Sequence, residues 1–192
     1  MTEGALALVA EAGPQAFTLR ELARRIGVSH AAPYRHFADK RALLTALAIE
    51  GGTVLHDRIA LALERAGDDL RARFLAAGYA YVRFALDEPS LFAVMFAREI
   101  DAEDPQLARS RQRSLSLLFG FIVDAQARGA MVEGAPEVLA QPVWAMHHGL
   151  AMLAIAGRYK GQSEDEIREA VDYAHASLLD GLLIRRSRDR QA

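Results

Sequence analysis

Cysteine is absent from the 192 residues, which excludes disulfides, thiolate metal sites and a cysteine nucleophile, and makes the cytoplasm the expected compartment. A metal could enter only through histidines and carboxylates. A charge excess of either sign is lacking too: 23 basic against 25 acidic residues leave a net −2, so no general basic coat for nucleic acid covers the chain. Long hydrophobic runs are missing. The opening Met1-Thr2-Glu3-Gly4-Ala5-Leu6 has neither the basic region nor the apolar core of a signal peptide. The most apolar later stretch, 143–157, is interrupted by His147 and His148 and is too short to span a bilayer comfortably, so it is expected to be a buried helix of a soluble protein with no membrane partner. Catalytic signatures are missing as well. There is no nucleophile elbow, P-loop, dinucleotide glycine pattern or paired Glu-x-x-His motif, so an enzyme is not expected and no catalytic residue, cofactor or metal is assigned.

What is present is helical. With about half its residues apolar, the chain can bury a sizeable core. Alanine and leucine recur at spacings of three and four, β-branched runs are few, and no Asn-Gly or Asp-Gly hairpin turn occurs. The expected fold is all-α, with about nine helices. Glycine and proline punctuate it. The first helix, 2–11, places Leu6, Val9 and Ala10 on one face and stops at Gly13-Pro14; Thr18 caps a second, 19–25, which Gly27 ends. A third short helix runs to Phe37, and Asp39 caps a fourth that extends toward Ala66 with a break near Gly51-Gly52. Five longer helices come next, over 69–87, 90–98, 106–128, 136–158 and 163–186, with an acidic loop at 99–105. The change from short to long helices predicts two domains, 1–50 and 51–192, with the boundary in the fourth helix.

The charges segregate. Between Thr18 and Arg41 lie Arg20, Arg24, Arg25, Arg35, Lys40 and Arg41 against only Glu21 and Asp39, and the remainder is acidic. A compact basic segment on an acidic protein is the footprint of one element meeting phosphate, although a solvated helix face gives the same pattern. The segment 18–37 also has the grammar of a helix-turn-helix. Gly27 supplies the turn, Ala23 permits close approach, Leu22, Ile26, Val28 and Phe37 can form an apolar seam, and Ser29 can cap the recognition helix.

At these residues a family resemblance appears. Phe17-Thr18-Leu19-Arg20-Glu21-Leu22-Ala23-Arg24-Arg25-Ile26-Gly27-Val28-Ser29, followed by Tyr34-Arg35-His36-Phe37-Ala38-Asp39-Lys40-Arg41-Ala42-Leu43-Leu44, resembles the DNA-binding domain of TetR-type regulators. The resemblance covers about the first fifty residues. It implies that 29–37 is the recognition helix and that Thr18, Tyr34, His36 and Lys40 sit where family members contact phosphate. Lys40 would act beside the amides of a helix N-terminus. For base reading the candidates are His30, Ala31, Ala32 and Arg35, the alanines touching thymine methyls or admitting the helix deeply. With Arg20 and Ser29 they complete the candidate DNA-binding set. Core packing is the alternative role for Tyr34 and Phe37. Two features depart from the family pattern: Pro33 falls within the recognition helix and loosens its first turn, and no arginine precedes Arg20 where members carry a basic arm. The second implies either a weaker hold on DNA or a start that lies further upstream.

Trp144, His148 and Gly149 resemble the tryptophan/histidine-glycine signature of one TetR subgroup, with Phe92, Met95 and Phe96 fitting loosely. This implies a ligand cavity framed by the fifth to seventh helices and a homodimer through the eighth and ninth. The stripe Ile167, Val171, Ala174, Leu178 and Leu182 suits such pairing, and a pseudo-palindromic operator on double-stranded DNA needs a two-fold partner. Tyr81, Phe84, Phe92, Met95, Phe96, Phe119, Trp144 and His148 could line the pocket, favouring a small hydrophobic or aromatic effector, or could equally be plain core. His147 and His148 diverge by about 100° on a helix, so hydrogen-bonded core or interface roles suit them better than a shared metal. The expected function is a ligand-responsive repressor; the alternative is a helical adaptor that binds protein with the same fold.

Overall fold

The computed structural model describes residues 1–182. They form eight α-helices and one short 3-10 turn: α1 (Thr2–Ala12), α2 (Leu19–Arg25), the turn Pro33–Arg35, α3 (Lys40–Arg65), α4 (Leu70–Asp87), α5 (Pro89–Met95), α6 (Pro105–Ala127), α7 (Pro136–Ile155) and α8 (Glu164–Leu182). The all-α expectation holds, and the turn stands where the third of nine helices was expected. Two compact units emerge. One comprises Met1–Asp57 with Phe84–Ser114, the other Arg58–Arg83 with the described residues from Leu115. Helices α3, α4 and α6 each contribute residues to both.

In the first unit α1 buries Ala5, Leu8 and Val9; Ala10, expected inward, is exposed. Gly4 sits where a Cβ would lie 2.5 Å from Ile26 Cγ2, so its missing side chain lets α1 approach the end of α2. Thr18 caps α2 by accepting the Glu21 N–H on Oγ1 at 3.2 Å, as Asp39 caps α3 through Ala42 N–H at 2.8 Å. The expected break in α3 does not occur. Gly51 and Gly52 are buried within one continuous helix because smallness is needed there: a Cβ on Gly51 would lie 2.7 Å from Met95 Sδ, and one on Gly52 would strike Ser110 Oγ. Close packing thus outweighs the roughly 1 kcal/mol helix penalty of each glycine. Helix α5 stops at Met95, short of the expected Arg98, after burying Leu91, Phe92 and Val94.

The second unit is built around Phe74, Phe121, Ile122, Ala125, Met131, Ala140, Val143 and Leu179. Ser163 and Glu166 form a capping box at the start of α8: Ser163 N–H donates to Glu166 Oε2 at 2.7 Å, and Glu166 N–H donates back to Ser163 Oγ at 3.3 Å. Two expectations change. Helix α7 begins at Pro136 as expected, ends at Ile155 rather than at 158, and is long and apolar enough, by length and composition, to cross a membrane, where the apolar run 143–157 alone was read as too short. It packs Ala140, Val143, His147, Ala151 and Ala154 inward, however, as a core helix does, and leaves Val138, Trp144, Met152 and Leu153 exposed instead of being buried all round. On α8, Ile167 and Val171 of the expected pairing stripe are buried within this unit, while Ala174, Leu178 and Leu182 are half-buried. The opposite face presents Ala170, Tyr173 and Ser177 to solvent. The predicted extension of that helix to Arg186 lies outside the described residues.

Candidate nucleic-acid interface

The turn after α2 is set by Gly27, whose φ of 72° is left-handed, while Val28 N–H returns to Ala23 O at 3.0 Å to close the helix end. The segment beyond this turn is not an α-helix. Ala32 N–H donates to Ser29 O at 2.9 Å, Arg35 N–H to Ala32 O at 3.2 Å and His36 N–H to Pro33 O at 3.1 Å, three-residue steps followed by a single four-residue one, Phe37 N–H to Pro33 O at 3.0 Å, and only Pro33–Arg35 is a regular 3-10 turn. The expectation of a helix over 29–37 is corrected. Pro33 has no N–H to extend an α-helical ladder and constrains Ala32, and no side chain caps the segment: Ala32 occupies the cap position expected of Ser29.

The exposure of this segment alternates between projecting and anchoring residues. Val28, Ser29, His30, Ala31, Tyr34, Arg35 and His36 are exposed, Ala32 and Phe37 are partly buried, and Pro33 is buried. Pro33 and Phe37 therefore anchor the segment while the polar side chains project. Tyr34, at 51% exposure, does not pack in the core. Val28, at 40%, drops out of the expected apolar seam, which Leu22 and Ala23 fill. Thr18 and Arg20 are exposed beside it.

Lys40 is differently placed from a free phosphate ligand. Its Nζ donates to Gln15 O at 2.8 Å and lies 4.8 Å from the centroid of the Phe17 ring. Burial lowers its pKa, with the Glu99 carboxylate pulling the other way. Arg41, absent from the candidate set although it adjoins Lys40 in the basic segment, is exposed, and its Nη2 lies 3.1 Å from Asp101 Oδ1. The acidic loop thus makes specific contacts. Asp104 Oδ1 caps α6 through Gln106 and Leu107 N–H at 2.7 and 2.9 Å.

The candidate effector residues divide between the units. In the first, Phe84 and Phe92 are buried, with ring centroids 6.2 Å apart; Phe96 continues the row 5.0 Å from Phe92, and Met95 packs against Gly51. In the second, the Tyr81 hydroxyl lies 3.4 Å from His148 Nδ1, Trp144 stacks on His148 at 5.5 Å while remaining 43% exposed, and Phe119 packs against the core. Burial pushes the Tyr81 hydroxyl pKa up and that of His148 down.

His175 was not among the sequence candidates. It is fully buried on α8, with its ring centroid 4.6 Å from that of His147 and 5.9 Å from that of Phe74. Its Nδ1 is 2.6 Å from Val171 O; a carbonyl only accepts, so Nδ1 carries the proton and Nε2 is an acceptor. Nε2 of both histidines is buried without a hydrogen-bond partner, which corrects the hydrogen-bonded role expected for His147. Burial and the neighbouring His175 push His147 down to about 3; burial likewise lowers His175, opposed by its Val171 bond and by Asp172. Both rings are neutral at ordinary pH. The sequence clue was Gly78 inside α4, where a Cβ would collide with the His175 ring.

Among the described residues no group of three or more potential ligands could hold a metal ion. Two family models match the chain: "Bacterial regulatory proteins, tetR family" over residues 2–47 and "Tetracyclin repressor-like, C-terminal domain" over 74–178. A protein of unknown function from Rhodococcus sp. RHA1 is 35% identical, with a TM-score of 0.81 over 95% of this chain and 93% of that one. The uncharacterized HTH-type transcriptional regulator YobS of Bacillus subtilis (strain 168) is 23% identical over 96% of this chain and 91% of that protein. The class A tetracycline repressor from transposon 1721 of Escherichia coli is 44% identical over 35% of this chain and 30% of that protein.

Proposed function

Because the chain belongs to the tetR family of bacterial regulatory proteins and is a DNA-binding transcriptional regulator, we propose that it is a homodimeric, cytoplasmic repressor, released from a pseudo-palindromic operator by a small, mainly hydrophobic or aromatic effector. The observation that carries the DNA reading is the segment 28–36: it is anchored from below by Pro33 and exposes His30, Tyr34, Arg35 and His36 directly between the capped helices α2 and α3. Residues 1–50 act as the reading domain and 51–192 as the effector and dimerisation domain. Arg35 and His30 read purine edges, Ala31 and Ala32 allow close approach, and Thr18, Tyr34, His36 and Lys40 hold the phosphates, with Arg20 and Ser29 completing the DNA-facing set. For Lys40 this requires exchanging Gln15 O for DNA.

The effector reading is supported by aromatic surface that the core does not use up. Trp144 and Phe96 keep 43% and 41% of their surface exposed, whereas buried Phe84 and Phe92 serve packing. Dimerisation is supported by two solvent-facing stripes of mostly small residues, Ala145, Gly149 and Met152 on α7 with Ala170, Tyr173 and Ser177 on α8, which allow helices to pair closely as a bundle. An effector that prefers one arrangement of α3 would release DNA only by its difference in affinity for the two states. Selection of binding sites from a random duplex pool tests the proposal. The expected product is a pseudo-palindrome with half-sites about 10 base pairs apart or a multiple of that; a pool that returns no enriched sequence would contradict it.

A further inference from the structure

We propose that Asp101 stands in for a DNA phosphate at Arg41, so that the acidic loop 99–104 limits the strength with which the reading surface holds its operator. The proposal rests on the DNA-binding role of that surface. Arg41 is the second residue of α3, and its side chain is 58% exposed. The guanidinium is already engaged by the Asp101 carboxylate at 3.1 Å. A carboxylate and a phosphate oxygen make the same charge-assisted demand on a guanidinium. While Asp101 holds Arg41, a phosphate arriving there meets a neutralised pair instead of a cation.

The loop is fixed and the arginine is the movable partner. Asp101 N–H donates to Thr45 Oγ1 at 2.8 Å, and Thr45 is buried one turn along α3 on the side of Arg41. Asp101 Oδ1 also accepts the Glu103 N–H at 3.3 Å, and Asp104 caps α6. The loop is therefore pinned to α3 by its backbone, independently of the ion pair. Arg41 and Asp101 both line an open groove of about 320 Å³, so the pair is wet and can part without disturbing the core. Lys40, beside it, is likewise satisfied within the chain by Gln15 O. Both cations at the start of α3 thus have internal partners when DNA is absent.

Exposed ion pairs are weak, so the competition is modest but measurable. Asp101→Asn removes the charge and keeps the shape and the Glu103 acceptor. Operator affinity, read by anisotropy over a salt series, is expected to rise about two- to fivefold. The slope of log K against log salt should steepen by about 0.9, the value for one more neutralised phosphate. Adding Arg41→Gln to Asp101→Asn should abolish both changes. Glu103→Gln makes the same charge change on an exposed side chain and should leave the slope unaltered. Unchanged or weakened binding by Asp101→Asn, with an unchanged melting temperature, overturns the proposal, as does an equal gain and slope from Glu103→Gln. If the native chain itself shows no operator binding, it is the proposed function that fails.

Discussion

Gly78 offers a test of the second unit in which two known effects oppose each other. In a helix interior Gly→Ala ordinarily stabilises by about 1 kcal/mol, because alanine orders its backbone at lower entropic cost. At Gly78 the added Cβ would collide with Nε2 and Cδ2 of His175 and lie 2.7 Å from Cε1. His175 is fully buried and tied to Val171 O, so its ring has nowhere to retreat. Overpacking of this kind costs about 1–3 kcal/mol. The net expectation for Gly78→Ala is a loss of about 0–2 kcal/mol, with none of the gain that a free helical site would show. Gly120, exposed on α6 with nothing within 4 Å of an added Cβ, should instead gain about 0.5–1 kcal/mol. Urea unfolding followed by circular dichroism, at one protein concentration for all variants, reads both as shifts in midpoint at constant slope. In a His175→Ala background the collision partner is gone, and Gly78→Ala should turn from a loss to a gain. Were Gly78→Ala in the native sequence as stabilising as Gly120→Ala, the close packing of His175 against α4 would be refuted.

The histidine pair makes stability depend on pH. In the unfolded chain both imidazoles protonate near the ordinary value of about 6.5, whereas in the fold His147 is held down to about 3 and His175 is lowered. Below about pH 6.5 the unfolded state therefore binds protons that the folded state refuses, and stability falls with pH by up to about 1.4 kcal/mol per unit for each histidine. His147→Gln should flatten that slope by up to one proton in unfolding measurements between about pH 6 and 4; an unaltered slope would count against burial of a neutral ring. Thr18→Ala removes the acceptor of the Glu21 N–H and is expected to cost about 1 kcal/mol of stability, measured by denaturant titration. Arg35→Ala should relax base preference at one operator position by about 1–3 kcal/mol, whereas Lys40→Ala should weaken all sequences alike and reduce the salt slope by about 1, both read from competition binding.

Local chemistry was legible in the sequence and tertiary compensation was not. Thr18 and Asp39 were readable as caps because a cap is satisfied within three residues, and the helices they start appear where expected. The starts of α5, α6 and α7 lie within one residue of expectation because Pro89, Pro105 and Pro136 each begin a helix. Gly51-Gly52 misled because propensity alone cannot register Met95 and Ser110 lying against the helix from distant positions. Pro33 does more than loosen a first turn: in a segment as short as 29–37, one missing donor leaves too few bonds for a helix to nucleate. At the candidate interface the exposure of Tyr34, Arg35 and His36 follows from polarity. The diversion of Lys40 to Gln15 O and of Arg41 to Asp101 depends on loops that bring remote residues beside α3, and no spacing in the sequence encodes it. On α8 the buried row shares Ile167 and Val171 with the expected stripe but continues through His175 and Leu179 instead of Ala174 and Leu178, because apolar spacing alone does not register a buried histidine, nor whether a face meets its own chain or another.

Fluorescence anisotropy of the full chain against duplexes tiled from the DNA flanking its own coding region, repeated across a salt series, tests DNA recognition most directly. A saturable signal confined to a few duplexes, weakening with salt by about 0.9 logarithmic units per neutralised phosphate, is the predicted result. Weak binding that is the same for every duplex would contradict the assignment of 28–36 as a sequence-reading surface.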